Sequence, residues 1–356
     1  MLRFGWKICQ CPPQTPLNFP ANVNSAACYG DTSTFKAGSA AICMLYYPVF
    51  AFFYLVSLLP LRLLYAVSAF AFFILYHLLG YRKKVVMTNL KNAFPEKTSE
   101  ELEAICKKFY RNFCDIWMEM LKVLSISKKE LAKRVQFDYS ILNDLYKTGI
   151  PVQAFAGHFM NWEFANISVA INQPYPFLGI YMPVSGKILD RLLRHLRSRF
   201  GTVLLEAGNV KNDMAGWENK AYILGIAADQ SPSNTMQAYW LNFMNQPSGF
   251  INKPWTKVTT LGHHAVYMRM ERLKRGYYRF TILPLTPAPG ILTEKELVLL
   301  YRDRLEEDIR NNPDNYLWTH RRWKKEWKEE YRELWIDHQP APAQKKELED
   351  IASSKS

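Results

Sequence analysis

The residue types in this chain best suited to chemistry are His158 and Glu163, in the run Gly157-His158-Phe159-Met160-Asn161-Trp162-Glu163. An imidazole can accept the proton of an alcohol as that oxygen attacks a thioester carbonyl. A carboxylate on the other ring nitrogen, here expected to be Glu163, would fix the tautomer and stabilise the imidazolium that forms. A thioester carbonyl is already activated, so no enzyme nucleophile is required, and the chain has no G-x-S-x-G elbow. Backbone N–H groups near the site or a neighbouring Arg are the candidate oxyanion donors.

Positions five apart on one helix lie about 140° apart around its axis, so on a single helix these two side chains would not meet. They meet if His158 ends a strand-side loop and Glu163 lies in the first turn of the next helix. The apolar stretch PVQAFA at 151–156 supplies the strand, and FANISVAI the helix. Active sites of open α/β sheets occupy such corners, beyond the strand C-termini. An H-x-x-x-x-E spacing alone also fits an unrelated surface or core histidine; the preceding strand and the flanking Gly157 and Asn161 argue for a site. Asn161 is expected to fix the corner through its side chain, whereas Trp162 reads as core packing more than as an acyl wall. No metal or cofactor is expected: HExxH spacing is lacking, and His263-His264 offers no recognisable third ligand.

Further candidates surround this corner. In KILDRLLRHLRSRF at 187–200, Arg191 and Arg194 share a face, while Arg197 and Arg199 lead into Phe200-Gly201 and are candidates for binding phosphate or acceptor. His320, Arg321, Arg322, Lys324 and Lys325, interleaved with Trp318 and Trp323, read either as a phosphate grip at a membrane surface or as a solvated helix. An apolar groove beside His158 would select acyl length, each buried methylene being worth about 0.8 kcal/mol. Phe177, Tyr181, Trp217, Trp240 and Phe243 are candidate wall residues.

The elements that must position these residues follow from pattern. The 356 residues carry a formal charge of +13 and 14% aromatics, ingredients of a protein that meets anionic surfaces. Nucleic acid is not the expected partner, because zinc-finger spacing and RNP-like aromatic strands are lacking. Cys106 and Cys114, the body's two cysteines, read as small apolar residues in a reducing compartment. Residues 1–40, rich in Pro, Ser, Asn and Cys, read as a mobile or artefactual extension, with Met44 a candidate natural start. The uncharged runs within 41–81, broken near Pro48 or Pro60, are the expected membrane anchor, and Arg82-Lys83-Lys84 places the body on the cytoplasmic side. A buried core hairpin is the plainer reading of the same runs. Residues 82–335 form the expected domain and 336–356 a mobile tail. Helices are expected at 82–95 and at 98–121, the second with a Thr98–Glu101 capping box. Strands at 151–156, 177–182, 202–206, 222–227 and 277–284 alternate with helices, which implies an α/β fold with a largely parallel sheet covered by helices. Residues 295–334 read as a long helical region interrupted near Pro313.

Several landmarks together carry a resemblance: LLPLRLLY before the basic cluster, GYRKKVVMTNLKNAFPE at 80–96, AGHFMNWE at 156–163, RSRFGT at 197–202, AADQSP at 227–232 and NPDNYLWTHRRWK at 312–324. From Met44 to about Lys328 the chain resembles the bacterial lipid A late acyltransferases, the lauroyl or myristoyl acyltransferases, within the HxxxxD/E acyltransferases. The resemblance implies a glycerolipid-acyltransferase-like fold, an acyl-acyl carrier protein donor, and a phosphorylated lipid A precursor as acceptor. It also implies an acyloxyacyl product made at the cytoplasmic face of the bacterial inner membrane. By position, His158 resembles the base, Glu163 its partner, and Asp229 in the AADQ segment a supporting residue. Family members often carry a basic residue where Tyr181-Met182-Pro183 has Met182, so a glycerophospholipid or aminolipid acceptor stays open. A non-catalytic basic membrane-surface protein is the rival outside enzymology; it gives no reason for the His158–Glu163 corner.

Overall fold

A computed structural model describes residues 37–342. Residues 1–36 of the expected extension and 343–356 of the expected tail lie outside the described residues. The chain divides into two units, Met1–Tyr47 and Pro48–Ser356. The described part of the first is helical and belongs to α1 (Ala37–Leu58), which continues through Pro48.

In the second unit the break falls at Pro60, whose fixed φ suits the residue just ahead of a helix. Helix α2 (Leu61–Phe72) follows, extended by a π-helical turn over Phe73–Leu78. Leu61, Leu64, Ser68 and Tyr76 are buried, and Leu63, Val67, Phe70, Phe73 and Leu78 are exposed. Among the described residues, Leu61–Leu78 is the one helix long and apolar enough to cross a membrane. Helix α3 (Lys83–Ala93) and helix α4 (Ser99–Lys122) match the amphipathic pair expected from the sequence, and α4 starts on the Thr98–Glu101 capping box. Short helices α5 (Lys128–Arg134) and α6 (Ser140–Lys147) flank strand β1 (Val135–Phe137).

The chain then alternates: β2 (Val152–Ala156), α7 (Trp162–Asn172), β3 (Phe177–Tyr181), α8 (Lys187–Ser198), β4 (Val203–Glu206), α9 (Val210–Asp213) and β5 (Ile223–Ala227). A separate hairpin, β6 (Ala238–Phe243) and β7 (Gln246–Ile251), leads into α10 (Lys253–Thr260), β8 (His264–Lys274), β9 (Tyr277–Pro284) and α11 (Glu294–Asn311). The main sheet has the order β1-β9-β8-β2-β5-β3-β4. All its pairs are parallel except β8 with β9. β2 is buried at all five positions, as a central strand covered on both faces must be. One cover is aromatic: Phe155 stacks on Trp255 at 3.7 Å between ring centres, with Tyr301 behind them. Cys106 and Cys114 are buried and unpaired, and burial pushes each thiol up to about 12.

Two expectations are corrected. The expected helical region breaks before Pro313, as its sequence implies, but no α-helix resumes after Asn311. Beyond it come a 3-10 turn at Pro313–Asn315 and an extended and turned stretch that lasts until a second 3-10 segment at Glu329–Leu334. Ile336 and Asp337, placed in the tail by composition, are docked. Ile336 N–H donates to the Trp240 carbonyl at 2.8 Å, and Asp337 pairs with Arg302 at 2.7 Å.

Candidate active site

Strands β2 and β5 are parallel neighbours with Ala156 opposite Ala227. Two residues past each lie His158 and Asp229, so the register alone sets them side by side at the C-terminal edge of the sheet. The Asp229 carboxylate takes both N–H groups of His158: ring Nδ1 at 2.6 Å to Oδ1 and the backbone nitrogen at 3.0 Å to Oδ2. The Tyr316 hydroxyl bonds the same carboxylate. Asp229 is buried, which by itself would raise its pKa, but the His158 charge and these hydrogen bonds outweigh burial and lower it to about 2. Burial would lower the pKa of His158; the adjacent Asp229 carboxylate overrides it and raises that pKa above the ordinary histidine value. An ionised Asp229 holds the proton on Nδ1 and leaves the Nε2 lone pair free to accept. Nε2 faces the Gln230 side-chain amide at 3.1 Å, and 24% of the His158 side chain is exposed.

The expected direct contact between Glu163 and the imidazole is therefore replaced by Asp229. Glu163 does lie in the first turn of α7, fully buried, but its Oε1 accepts from Arg197 Nη2 at 2.7 Å, Arg197 Nε at 2.8 Å and Trp162 Nε1 at 3.1 Å. Its Oε2 has no hydrogen-bond partner. The reason is helical geometry. His158 is three residues ahead of the Asn161 N-cap, and α7 turns Glu163 toward α8, which carries Arg197. The Trp162 ring edges the His158 ring at 6.0 Å, so Glu163 and His158 line one corner without touching.

Asn161 fixes that corner from both sides. Its Oδ1 caps α7 by accepting the Phe164 N–H at 3.1 Å, and its Nδ2 donates to Glu119 at 2.9 Å. Glu119, buried in α4, also accepts from the Tyr278 hydroxyl at 2.6 Å and the Tyr65 hydroxyl at 2.8 Å, and its burial raises its pKa. Gly157 is required by close approach: a Cβ there would sit 2.5 Å from Leu305 Cδ1 on α11 and 2.7 Å from Phe159 Cε2.

The segment after Pro313 is a strap across the site. Met160 N–H donates to the Asn315 carbonyl at 3.0 Å, Leu317 N–H to the His158 carbonyl at 3.0 Å, and Phe159 bridges Tyr316. Arg322, expected at a phosphate-binding or solvated surface, is instead buried. It donates to the Gly249 carbonyl at 2.9 Å with its guanidinium over Phe250 and Phe243. Arg199 is likewise occupied, bonding the Val123 carbonyl and, at 2.9 Å, that of Ile126.

The five candidate groove residues do not gather around His158. Phe177 opens β3 and is buried against Gly225. Trp217 packs on Tyr222 at the N-terminal ends of the strands, the edge away from His158. Trp240 stacks on Tyr331 in a separate cluster with Trp327, Leu334 and Trp335, and Phe243 packs with Phe250 and Trp323. Tyr181, the last residue of β3, lies at the C-terminal edge with the Arg194 guanidinium over its ring. Among the described residues no group of three or more His, Cys, Asp or Glu is placed to hold a metal ion.

Reading residues alone missed Gln230 and Tyr316. The usable signal lay in parallel construction: AGH follows one apolar strand and AADQ another, and paired strands bring such loops together.

A family model described as bacterial lipid A biosynthesis acyltransferase matches residues 36–325. The chain is 23% identical over 250 residues to the lipid A biosynthesis palmitoleoyltransferase of Escherichia coli K12, covering 68% of this chain and 79% of that protein. It matches the lipid A biosynthesis acyltransferase of Shigella flexneri to the same extent, 23% identical over 250 residues. With a matched region that contains the sheet, the His158–Asp229 pair and the strap, this chain belongs to the bacterial lipid A biosynthesis acyltransferase family.

Proposed function

We propose that the protein transfers a fatty acyl chain from an acyl-acyl carrier protein thioester to a hydroxyl of a lipid A precursor, forming an acyloxyacyl ester, with His158 as general base. The observation that carries this reading is the His158–Asp229 pair, whose Nε2 meets only the neutral Gln230 amide in a partly exposed side chain, in a chain of this family. The fold is of the glycerolipid-acyltransferase kind, with the site in the H-x-x-x-x-E corner.

The acceptor hydroxyl displaces the Gln230 amide from Nε2 and gives up its proton there while its oxygen attacks the thioester carbonyl. The Asp229 carboxylate stabilises the imidazolium. Collapse of the tetrahedral adduct breaks the C–S bond, and His158 returns the proton to the leaving thiolate, so the base is regenerated. The Gln230 amide, and the Arg197 guanidinium anchored by Glu163, are the candidate donors for the oxygen that gains charge. Glu163 acts here by holding Arg197 and Trp162.

The outer face of α2 meets the inner membrane, with the body on the cytoplasmic side; Arg82, Lys83 and Lys84 after the apolar helix support this. Met182, 73% exposed just past β3, keeps a glycerophospholipid or aminolipid acceptor as the second reading. Membranes with matched levels of wild type and His158→Ala, supplied with an acyl carrier protein thioester and each acceptor, test the assignment by mass spectrometry of the products. Acylated lipid A precursor from wild type and none from His158→Ala is the expected result. Substantial turnover by His158→Ala contradicts it, and product on glycerophospholipid alone moves the acceptor to the second reading.

A further inference from the structure

Helix α2 with its π-helical extension has the length and composition to cross a bilayer, but its inner face carries polar and charged contacts along its course. Tyr65 donates to Glu119 at 2.8 Å, Ser68 to Asp115 at 2.6 Å, Arg111 lies over Phe72 at 5.3 Å, and Tyr76 bonds Glu103 with Lys83 over its ring at 4.2 Å. From Tyr65 to Tyr76 a helix rises about 16 Å. A bilayer core around this stretch would enclose Asp115, Arg111, Arg272 and Arg275 in hydrocarbon, where charged side chains are strongly disfavoured. The opposite face, Leu63, Val67, Phe70, Phe73 and Leu78, is exposed and apolar. Tyr81 and Trp117, also exposed, are aromatics of the kind that sit at headgroup level. Such a helix lies in the plane of the interface, apolar side toward the acyl layer and polar side packed against α4.

On that polar side opens a cavity of about 480 Å³ between Ser68–Phe72 of α2, Arg111–Asp115 of α4, and Arg272 and Arg275 at the β8–β9 turn. Three guanidiniums face one carboxylate. Asp115 is fully engaged, by Ser68, by Arg272 at 2.7 Å and by Arg275 at 2.5 Å. Arg272 Nε is buried without a partner, and Arg111 has no carboxylate partner among the described residues. Even counting Glu119, whose charge also acts on Arg272, the guanidiniums outnumber the carboxylates, and the Arg272 Nε and the Arg111 guanidinium are donors of the kind that bind phosphate oxygens. None of its lining residues hydrogen-bonds His158, Asp229, Gln230 or Glu163.

We propose that this cavity binds the phosphate of an anionic phospholipid headgroup while the outer face of α2 lies in the acyl layer. The proposal rests on the reading that α2 meets a membrane. Full-length protein is floated with vesicles of phosphatidylcholine alone and with phosphatidylglycerol added, comparing wild type, Arg111→Glu, Arg275→Gln and the charge-matched control Lys129→Glu. Wild type and Lys129→Glu are expected to bind both, tighter with phosphatidylglycerol. Arg111→Glu is expected to keep its thermal midpoint and its binding to phosphatidylcholine but to lose about tenfold in affinity for the anionic vesicles, with a smaller loss in Arg275→Gln. An undiminished preference for phosphatidylglycerol in both variants overturns the cavity assignment while leaving the membrane reading intact. Flotation with neither vesicle overturns both. If inorganic phosphate raises the wild-type midpoint, but not that of Arg111→Glu, and phosphatidylglycerol adds nothing to vesicle binding, the site takes a free anion and the lipid assignment fails.

Discussion

His158 has different company at its two nitrogens. Nδ1 is fixed by a buried carboxylate, and Nε2 is covered by an amide that a substrate hydroxyl can replace. Glu163, the carboxylate that spacing picked out, belongs to Arg197. Hydrogen bonds to charged groups are worth about 1.5–3 kcal/mol, so Glu163→Gln, which leaves Arg197 without its ion pair, is expected to lower kcat/KM by roughly 10- to 100-fold. Because the ring is held by Asp229, the acid limb of the pH–rate profile should stay where it is in wild type. Profiles of kcat/KM against pH for the two proteins check this; a limb displaced in Glu163→Gln would return Glu163 to the ring. The strand-to-helix corner at His158 and the Asn161 cap were legible in the chain because an apolar strand running into a helix and an N-cap have local signatures. The ring's true partner was not, since the bond spans 71 positions and depends on strand register.

At the scale of elements, one glycine lets strand β2, the corner and α11 come together. Gly157→Ala would drive a methyl group into Leu305 and Phe159, and overpacking of this kind costs about 1–3 kcal/mol. A thermal midpoint lowered by several degrees, with weaker transfer from a displaced His158, is the expected outcome of a melt and an assay on the same preparation. An unchanged midpoint would show that α11 yields easily. Elements with clean periodicity were legible: β9 at Tyr277–Pro284 and the capped α4 lie where pattern puts them. The β6–β7 hairpin was not, because its turn puts Met244 and Asn245 at positive φ without the Asn-Gly pair that marks such turns. The strap was read as helix because its aromatic and basic residues look amphipathic, whereas their contacts are to the sheet edge and to the hairpin.

For the whole molecule, a net charge of +13 and one apolar helix face are the features on which the proposed contact with an anionic surface rests, and the sheet edge presents the His158–Asp229 pair. The architecture was legible as a parallel sheet under helices because short apolar strands alternate with amphipathic helices. Wall residues for an acyl groove were not, since aromatic residues in a sequence have no order in space, and Trp217 and Trp240 prove to pack away from His158. The proposed chemistry depends on Asp229 setting the proton on His158. The raised pKa means that the base is lost as pH falls through a value above the ordinary histidine 6.5, so that is where the wild-type acid limb should lie. The decisive measurement is kcat/KM for acyl transfer against pH in wild type and Asp229→Asn. The variant should show a limb moved to lower pH and a plateau reduced about 10²- to 10⁴-fold. A variant with the wild-type plateau and the wild-type limb would contradict the account.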